Sequence, residues 1–185
     1  MPDPWIIAFP TQGDASESLT HQGTGIVLDR WEGIELEFAR LYSVFMGDPD
    51  GSIVGDYGKP RIFADRVAGL RRAAQGYFTR KPHQPHEGEF SRLAFVAERF
   101  ADRRNEVAHG FVLPVDRIDY FRERMELQEV SHRHYLLIPP LYSIRKHVDG
   151  LPAYAYSYPT MIELGKRLVV LWGEITDLRA ALVAS

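Results

Sequence analysis

There is no cysteine among the 185 residues, which excludes disulfides, thiol catalysis and cysteine-liganded zinc and suits a reducing compartment. No apolar run reaches the roughly 18 residues that a transmembrane helix needs. The opening segment MPDPWIIAFP lacks the basic start and long apolar stretch of a secretory signal, so the expected location is cytoplasmic, with no membrane partner. Also absent are internal repeats, low-complexity tracts, a glycine-rich phosphate loop with its lysine and a serine nucleophile elbow. There is little excess charge: 22 basic against 25 acidic residues leave a net charge of −3, which excludes a general nucleic-acid sponge.

What charge there is lies unevenly. Residues 1–58 hold two basic and ten acidic side chains, residues 59–110 eleven basic and six acidic, and the remainder nine of each. A positive middle third can receive an anion, or can simply neutralise its acidic neighbours. The length and composition suit one domain that buries roughly 70% of the surface its unfolded chain would expose.

Hydrophobic spacing supplies the architecture. Pro2, Pro4, Pro10, Gly13 and a polar stretch predict an irregular arm over 1–23, with PWIIAF as a short apolar segment. From about Thr24, Val27, Trp31, Ile34, Phe38, Leu41 and Phe45 recur at alternating intervals of four and three, which only a helix places on one stripe. A second helix is expected from about Pro60 to Arg80, on the stripe Phe63, Val67, Leu70, Ala74 and Tyr77. A third is expected from about Gly88 to His109, on Phe90, Leu93, Ala97, Phe100 and Val107, with Gly110 as its C-terminal cap. A last helix follows Pro159-Thr160 on Met161, Leu164, Leu168, Leu171, Ile175, Leu178 and Leu182. Between the third and last helices, 115–128 reads as a short helix, Tyr135–Ile138 as extended, and SIRKHVDGLPAYAYS as a hairpin turning at Asp149-Gly150. The expected fold is therefore all-α: an up-and-down four-helix bundle over 24–185, with a small β-containing insertion at about 111–157 between helices three and four.

The third helix ends ERFADRRNEVAHG, where the candidate chemistry concentrates. Arg104 falls on the apolar stripe, a costly place for a guanidinium unless a partner or a solvent-filled cleft receives it. Asn105 and His109 are four apart and share one face. Arg104 and His109 are five apart, about 140° around the helix, so they reach one cleft by side-chain length or across a two-fold axis. A structural role suits the same residues: Arg104 pairs with a first-helix glutamate, and Asn105 and His109 cap the helix end.

Arg104-Asn105-Glu106-Val107-Ala108-His109, followed by Gly110, resembles the Arg-polar-x-x-x-His motif of the HEPN superfamily (higher eukaryotes and prokaryotes nucleotide-binding domains). The first helix, with Trp31-Glu32 and Ile34-Glu35, also resembles the corresponding helix of bacterial members, and the likeness covers 24–110 and 158–184. The resemblance implies a four-helix bundle with this motif near the end of its third helix. It also implies metal-independent endoribonuclease chemistry without a cofactor. His109 would act on the ribose 2′-hydroxyl as general base, Arg104 would stabilise the pentacoordinate phosphate, and Asn105 would orient either. Histidine titrates near neutral pH, and a guanidinium holds phosphate through a planar fork. A homodimer with two motifs on one groove, a toxin–antitoxin or other defence role, and an antitoxin partner follow from the resemblance alone. Other members only bind RNA, nucleotide or protein, so a non-catalytic regulatory bundle and a plain helical scaffold are the alternatives.

Several further residues are candidates. Glu32 and Glu35 are possible acidic partners of Arg104; Arg71, Arg72 and Arg103 are possible RNA-backbone contacts, with Arg80-Lys81 beside them. His83 and His86 form an HxxH near Glu87 and Glu89, but a proline-broken loop supplies metal ligands poorly, and no metal site is expected. His132 and His134 alternate and are expected at the surface. Tyr154, Tyr156 and Tyr158 either stack bases or cover one end of the bundle.

Overall fold

A computed structural model describes residues 3–48, 50–115, 121, 133–149 and 151–184. The described chain is mainly α-helical, with small antiparallel strand pairs between two of the long helices. The helices are α1 (Glu17–Phe45), α2 (Val54–Tyr57), α3 (Phe63–Arg80), α4 (Gln84–His109) and α5 (Tyr158–Ala184). The strands are β1 (Phe111–Pro114), β2 (Tyr135–Ile138), β3 (His147–Val148) and β4 (Leu151–Pro152). Among the described residues, no helix is long and apolar enough to cross a membrane.

The stripes read from spacing are the core. Each of the six α1 stripe residues is fully buried, as are Val67 and Leu70 of α3 and Leu93 and Ala97 of α4, and the seven α5 residues are at most 5% exposed. Two helix starts differ from the expectation. Helix α1 begins at Glu17 rather than near Thr24, so the last seven residues of the expected arm, Gly23 among them, are helical. Gly23 is there for close approach: a Cβ on it would lie 2.7 Å from Cε of Met161 on α5. Helix α4 begins at Gln84 rather than Gly88, with Pro85 in the first turn, where its missing N–H costs nothing.

The chain divides into two compact units. The first comprises Met1–Asp29 and Asp102–Arg167. Here β1 and β2 pair antiparallel, Phe111 opposite Ile138 and Pro114 opposite Tyr135, and β2 bridges through Asp14 and Tyr156 as well. A cluster of Val115, Phe121, Leu136, Ile138 and Ala155 forms its β-side core, with Phe9 of the arm stacked on Phe121. Asp14 ties the arm down: its buried carboxylate accepts from the Thr20 hydroxyl at 2.8 Å and from the Tyr158 N–H that opens α5. Burial holds the Asp14 carboxyl above the usual aspartate range, against those two hydrogen bonds. Strands β3 and β4 pair about the expected turn, with Asp149 at φ 51°, but the hairpin is shorter than the expected 143–157: Ile144–Lys146 is a 3₁₀ turn, and Tyr156 bridges to Leu137 of β2. The short helix expected over 115–128 lies outside the described residues except for Val115 and the buried Phe121.

The second unit comprises Arg30–Ala101 and Leu168–Ser185. Its core is aromatic: Trp31 meets Phe63 edge-on at 4.9 Å between centroids, and Phe45 meets Phe90 at 5.1 Å. Two buried glutamates of α1 are held by arginines. Glu37 takes Arg40 and, at 2.7 Å, Arg179 of α5. Glu35 accepts from Trp31 Nε1, from the Tyr57 hydroxyl at 3.0 Å and from Arg66 at 2.7 Å. Burial and, after it, the Glu35 charge push the Tyr57 phenol far up.

Candidate functional site

The last turns of α4 belong to the first unit and carry Arg104, Asn105 and His109. Their stripe position decides their exposure. Val107 packs inward at 1% exposure, Arg104 is half-buried, and Asn105 and His109 face out together on one side. Helix α4 stops at His109 because the chain turns directly into β1. Gly110 is not the left-handed cap expected of it: the described glycines with positive φ are Gly47 and Gly51. Gly110 is needed because β2 crosses beside it. A Cβ there would lie 2.1 Å from Cδ2 and 2.6 Å from Cγ of Leu137, and 3.0 Å from the Glu106 carbonyl oxygen.

His109 opens onto a cleft of about 680 Å³. One wall is Ala108 to Phe111, at the junction of α4 and β1; the other is Pro140 to Ser143 with Lys146. The second wall is held in shape by the turn before β3. Lys146 N–H donates to the Ser143 carbonyl at 2.8 Å, the His147 ring bonds the same carbonyl at 3.1 Å, and Ala153 N–H donates to the Lys146 carbonyl at 2.9 Å. The Lys146 ammonium stands 5.7 Å from the centre of the Tyr154 ring, a cation–π contact. Among the described residues, those lining the cleft include His109 but neither Arg104 nor Asn105, and they contain no carboxylate.

Behind this wall sits a residue that sequence reasoning passed over. Glu106, within the motif itself, accepts a short hydrogen bond from the Tyr156 hydroxyl and pairs with Arg103 at 2.8 Å. Burial pushes the Glu106 carboxyl up, against the Tyr156 hydrogen bond and the Arg103 and Lys146 charges. Burial and the Glu106 charge in turn push the Tyr154 phenol up to about 12. Lys146 was also passed over. The signal available for it was a loop that carries exposed apolar and basic residues together, Leu141, Tyr142, Ile144 and Arg145.

The remaining candidates disperse. Arg71 pairs with Glu98 at 3.0 Å in the second unit, Arg72 is exposed there, and Arg103 is engaged by Glu106 in the first. Glu32 is exposed, and Glu35 is the buried acceptor described above. His83 and His86 stack at 3.8 Å, and His83 Nδ1 accepts the His86 N–H, so this pair starts α4. Among the described residues, no group of three or more His, Asp or Glu side chains is placed to hold a metal ion. His132 lies outside the described residues, and His134 is buried rather than at the surface, bonded to the Gly13 carbonyl at 3.2 Å. Tyr154 and Tyr156 are buried, which leaves them packing rather than stacking on bases. No family model, curated protein or solved structure matches the chain.

Proposed function

We propose that this protein is a HEPN-like four-helix bundle acting in the cytoplasm as a homodimeric, metal-independent endoribonuclease. Its setting is a toxin–antitoxin or related defence system with an antitoxin protein as partner. The observation that carries the reading is the position of Arg104-Asn105-x-x-x-His109 in the last turns of α4, with His109 exposed at a cleft it shares with Lys146. In the reaction His109 takes the proton of a ribose 2′-hydroxyl, and the 2′-oxygen bonds to the adjacent phosphorus. The bond from phosphorus to the 5′-oxygen breaks, leaving a 2′,3′-cyclic phosphate and a 5′-oxygen that takes a proton from water to become a hydroxyl, while His109 gives its proton back to solvent. Arg104 neutralises charge on the equatorial phosphate oxygens, and a two-fold dimer supplies a second motif to the same groove.

RNA cleavage in EDTA tests this, with wild type and His109→Ala first matched for oligomeric mass by light scattering. Loss of a positioned general base lowers the rate roughly 10²- to 10⁴-fold. Absence of cleavage by folded wild type, or equal cleavage by both proteins, overturns the catalytic reading. A second reading, a bundle that binds RNA or nucleotide without cutting it, is favoured by the absence of Arg104 and Asn105 from the lining of the His109 cleft in one chain. It predicts nucleotide-dependent thermal stabilisation that Arg104→Ala abolishes, with RNA left intact.

A further inference from the structure

The two walls of the His109 cleft expose apolar surface that a folded chain ordinarily hides. Phe111 is 54% exposed, Leu141 67% and Tyr142 87%, and all three line the cleft. Scattered exposed apolar residues mean little, but several beside one concavity mark a recognition surface. The cleft volume lies within the roughly 300–1,000 Å³ of small-ligand sites, enough for one nucleotide. Its described lining carries a cation and no carboxylate: Lys146 lines it, and Arg145 precedes it on the exposed turn. Lys146 is also preset, since its ammonium is held over the Tyr154 ring and near the Glu106 carboxylate. An aromatic face beside a fixed cation suits a flat base carrying an anionic phosphate.

We infer that this cleft is a subsite for one unstacked base of single-stranded RNA, with the base on Tyr142 against Phe111 and Leu141 and the adjoining phosphate on Lys146. The inference rests on the proposed ribonuclease reading, for it places that base beside His109. A duplex cannot use the subsite, because its base faces are covered by their neighbours. Stacking on an aromatic ring is indifferent to base identity, so the subsite selects strandedness rather than sequence.

The test separates binding from cutting by using RNA that cannot be cut: a fluorescein-labelled single-stranded decamer with 2′-O-methyl groups throughout, titrated with full-length protein and read by anisotropy. Stacking of one base corresponds to roughly a 5- to 150-fold weakening for Tyr142→Ala. Tyr142→Phe keeps wild-type affinity, and Lys146→Ala flattens the salt dependence by about 0.7 in log–log slope, one single-strand phosphate. A 2′-O-methyl duplex and a free nucleoside monophosphate bind far more weakly than the strand. The inference is overturned if wild type fails to bind the strand, if Tyr142→Ala binds it as wild type does, or if Tyr142→Phe loses as much as Tyr142→Ala. It is also overturned if Tyr142→Ala leaves RNA affinity intact but lowers the oligomeric mass, which makes the patch a protein interface. Failure of the catalytic reading shows separately, as wild type that binds the blocked strand and leaves the unmodified one intact.

Discussion

Gly110→Ala isolates what the β-segment demands of the end of α4. The added methyl would lie 2.1 Å from Cδ2 of Leu137 and 3.0 Å from the Glu106 carbonyl oxygen, well inside contact distance. Leu137 has little room to retreat: it is 2% exposed, and its strand pairs with Val112 on one side and Tyr156 on the other. Forcing a methyl into such packing costs about 1–3 kcal/mol. Because Gly110 does not have positive φ, the substitution also stiffens the unfolded chain, which returns roughly 0.4–1 kcal/mol. The expected net loss is about 1–2 kcal/mol, a drop of about 2–8 °C in Tm for a chain of this size. The assay is urea unfolding of four proteins: wild type, Gly110→Ala, Leu137→Ala and the double variant. Leu137→Ala alone costs about 2–5 kcal/mol. In its background the leucine atoms are gone and the Glu106 carbonyl oxygen at 3.0 Å is the contact left, so most of the cost of Gly110→Ala disappears, a coupling of about 1–3 kcal/mol. A left-handed cap glycine would make the alanine equally costly in both backgrounds, and that result would refute the reasoning.

Two further predictions concern carboxylates, one buried and one half-buried. Glu35→Ala leaves the Arg66 guanidinium, the Trp31 N–H and the Tyr57 hydroxyl without this acceptor, so it is expected to destabilise by about 3–5 kcal/mol in denaturant unfolding; a loss below 1 kcal/mol contradicts the network. Glu106 titrates above its unfolded value, so the folded chain holds more protons and its contribution to stability falls as pH rises from the ordinary glutamate range through the raised folded value. The stability difference between wild type and Glu106→Gln therefore declines with rising pH across that window, and a difference that grows with pH refutes the assignment.

Much of the core was legible in the chain alone. A 3.6-residue repeat of large apolar side chains must be buried whatever packs on it, so Trp31, Phe38, Leu70, Leu93 and Leu168 were identifiable without knowing their neighbours. The hairpin at Asp149 was legible for the same reason, since its turn chemistry is local. Glycine misled in both directions. Gly23 fell in the expected irregular arm and proved to be a close contact with Met161, and Gly110 looked like a cap and proved to be clearance for Leu137. A glycine's sequence neighbours say nothing about which distant side chain approaches it.

The candidate site divides in the same way. Arg104, Asn105 and His109 lie on one stretch of one helix, so their spacing and relative faces were determined by the sequence itself. The opposite wall was decided only in three dimensions. Lys146 and Tyr142 lie more than thirty residues beyond His109, and they reach its cleft because β2 pairs with β1 and the turn before β3 closes on Ser143. Glu106 likewise reads as an ordinary helix glutamate until Tyr156 is folded against it. Local periodicity encodes which residues share a helix face; which residues share a cleft depends on strand pairing between segments far apart in the chain, and no spacing rule along the sequence records it.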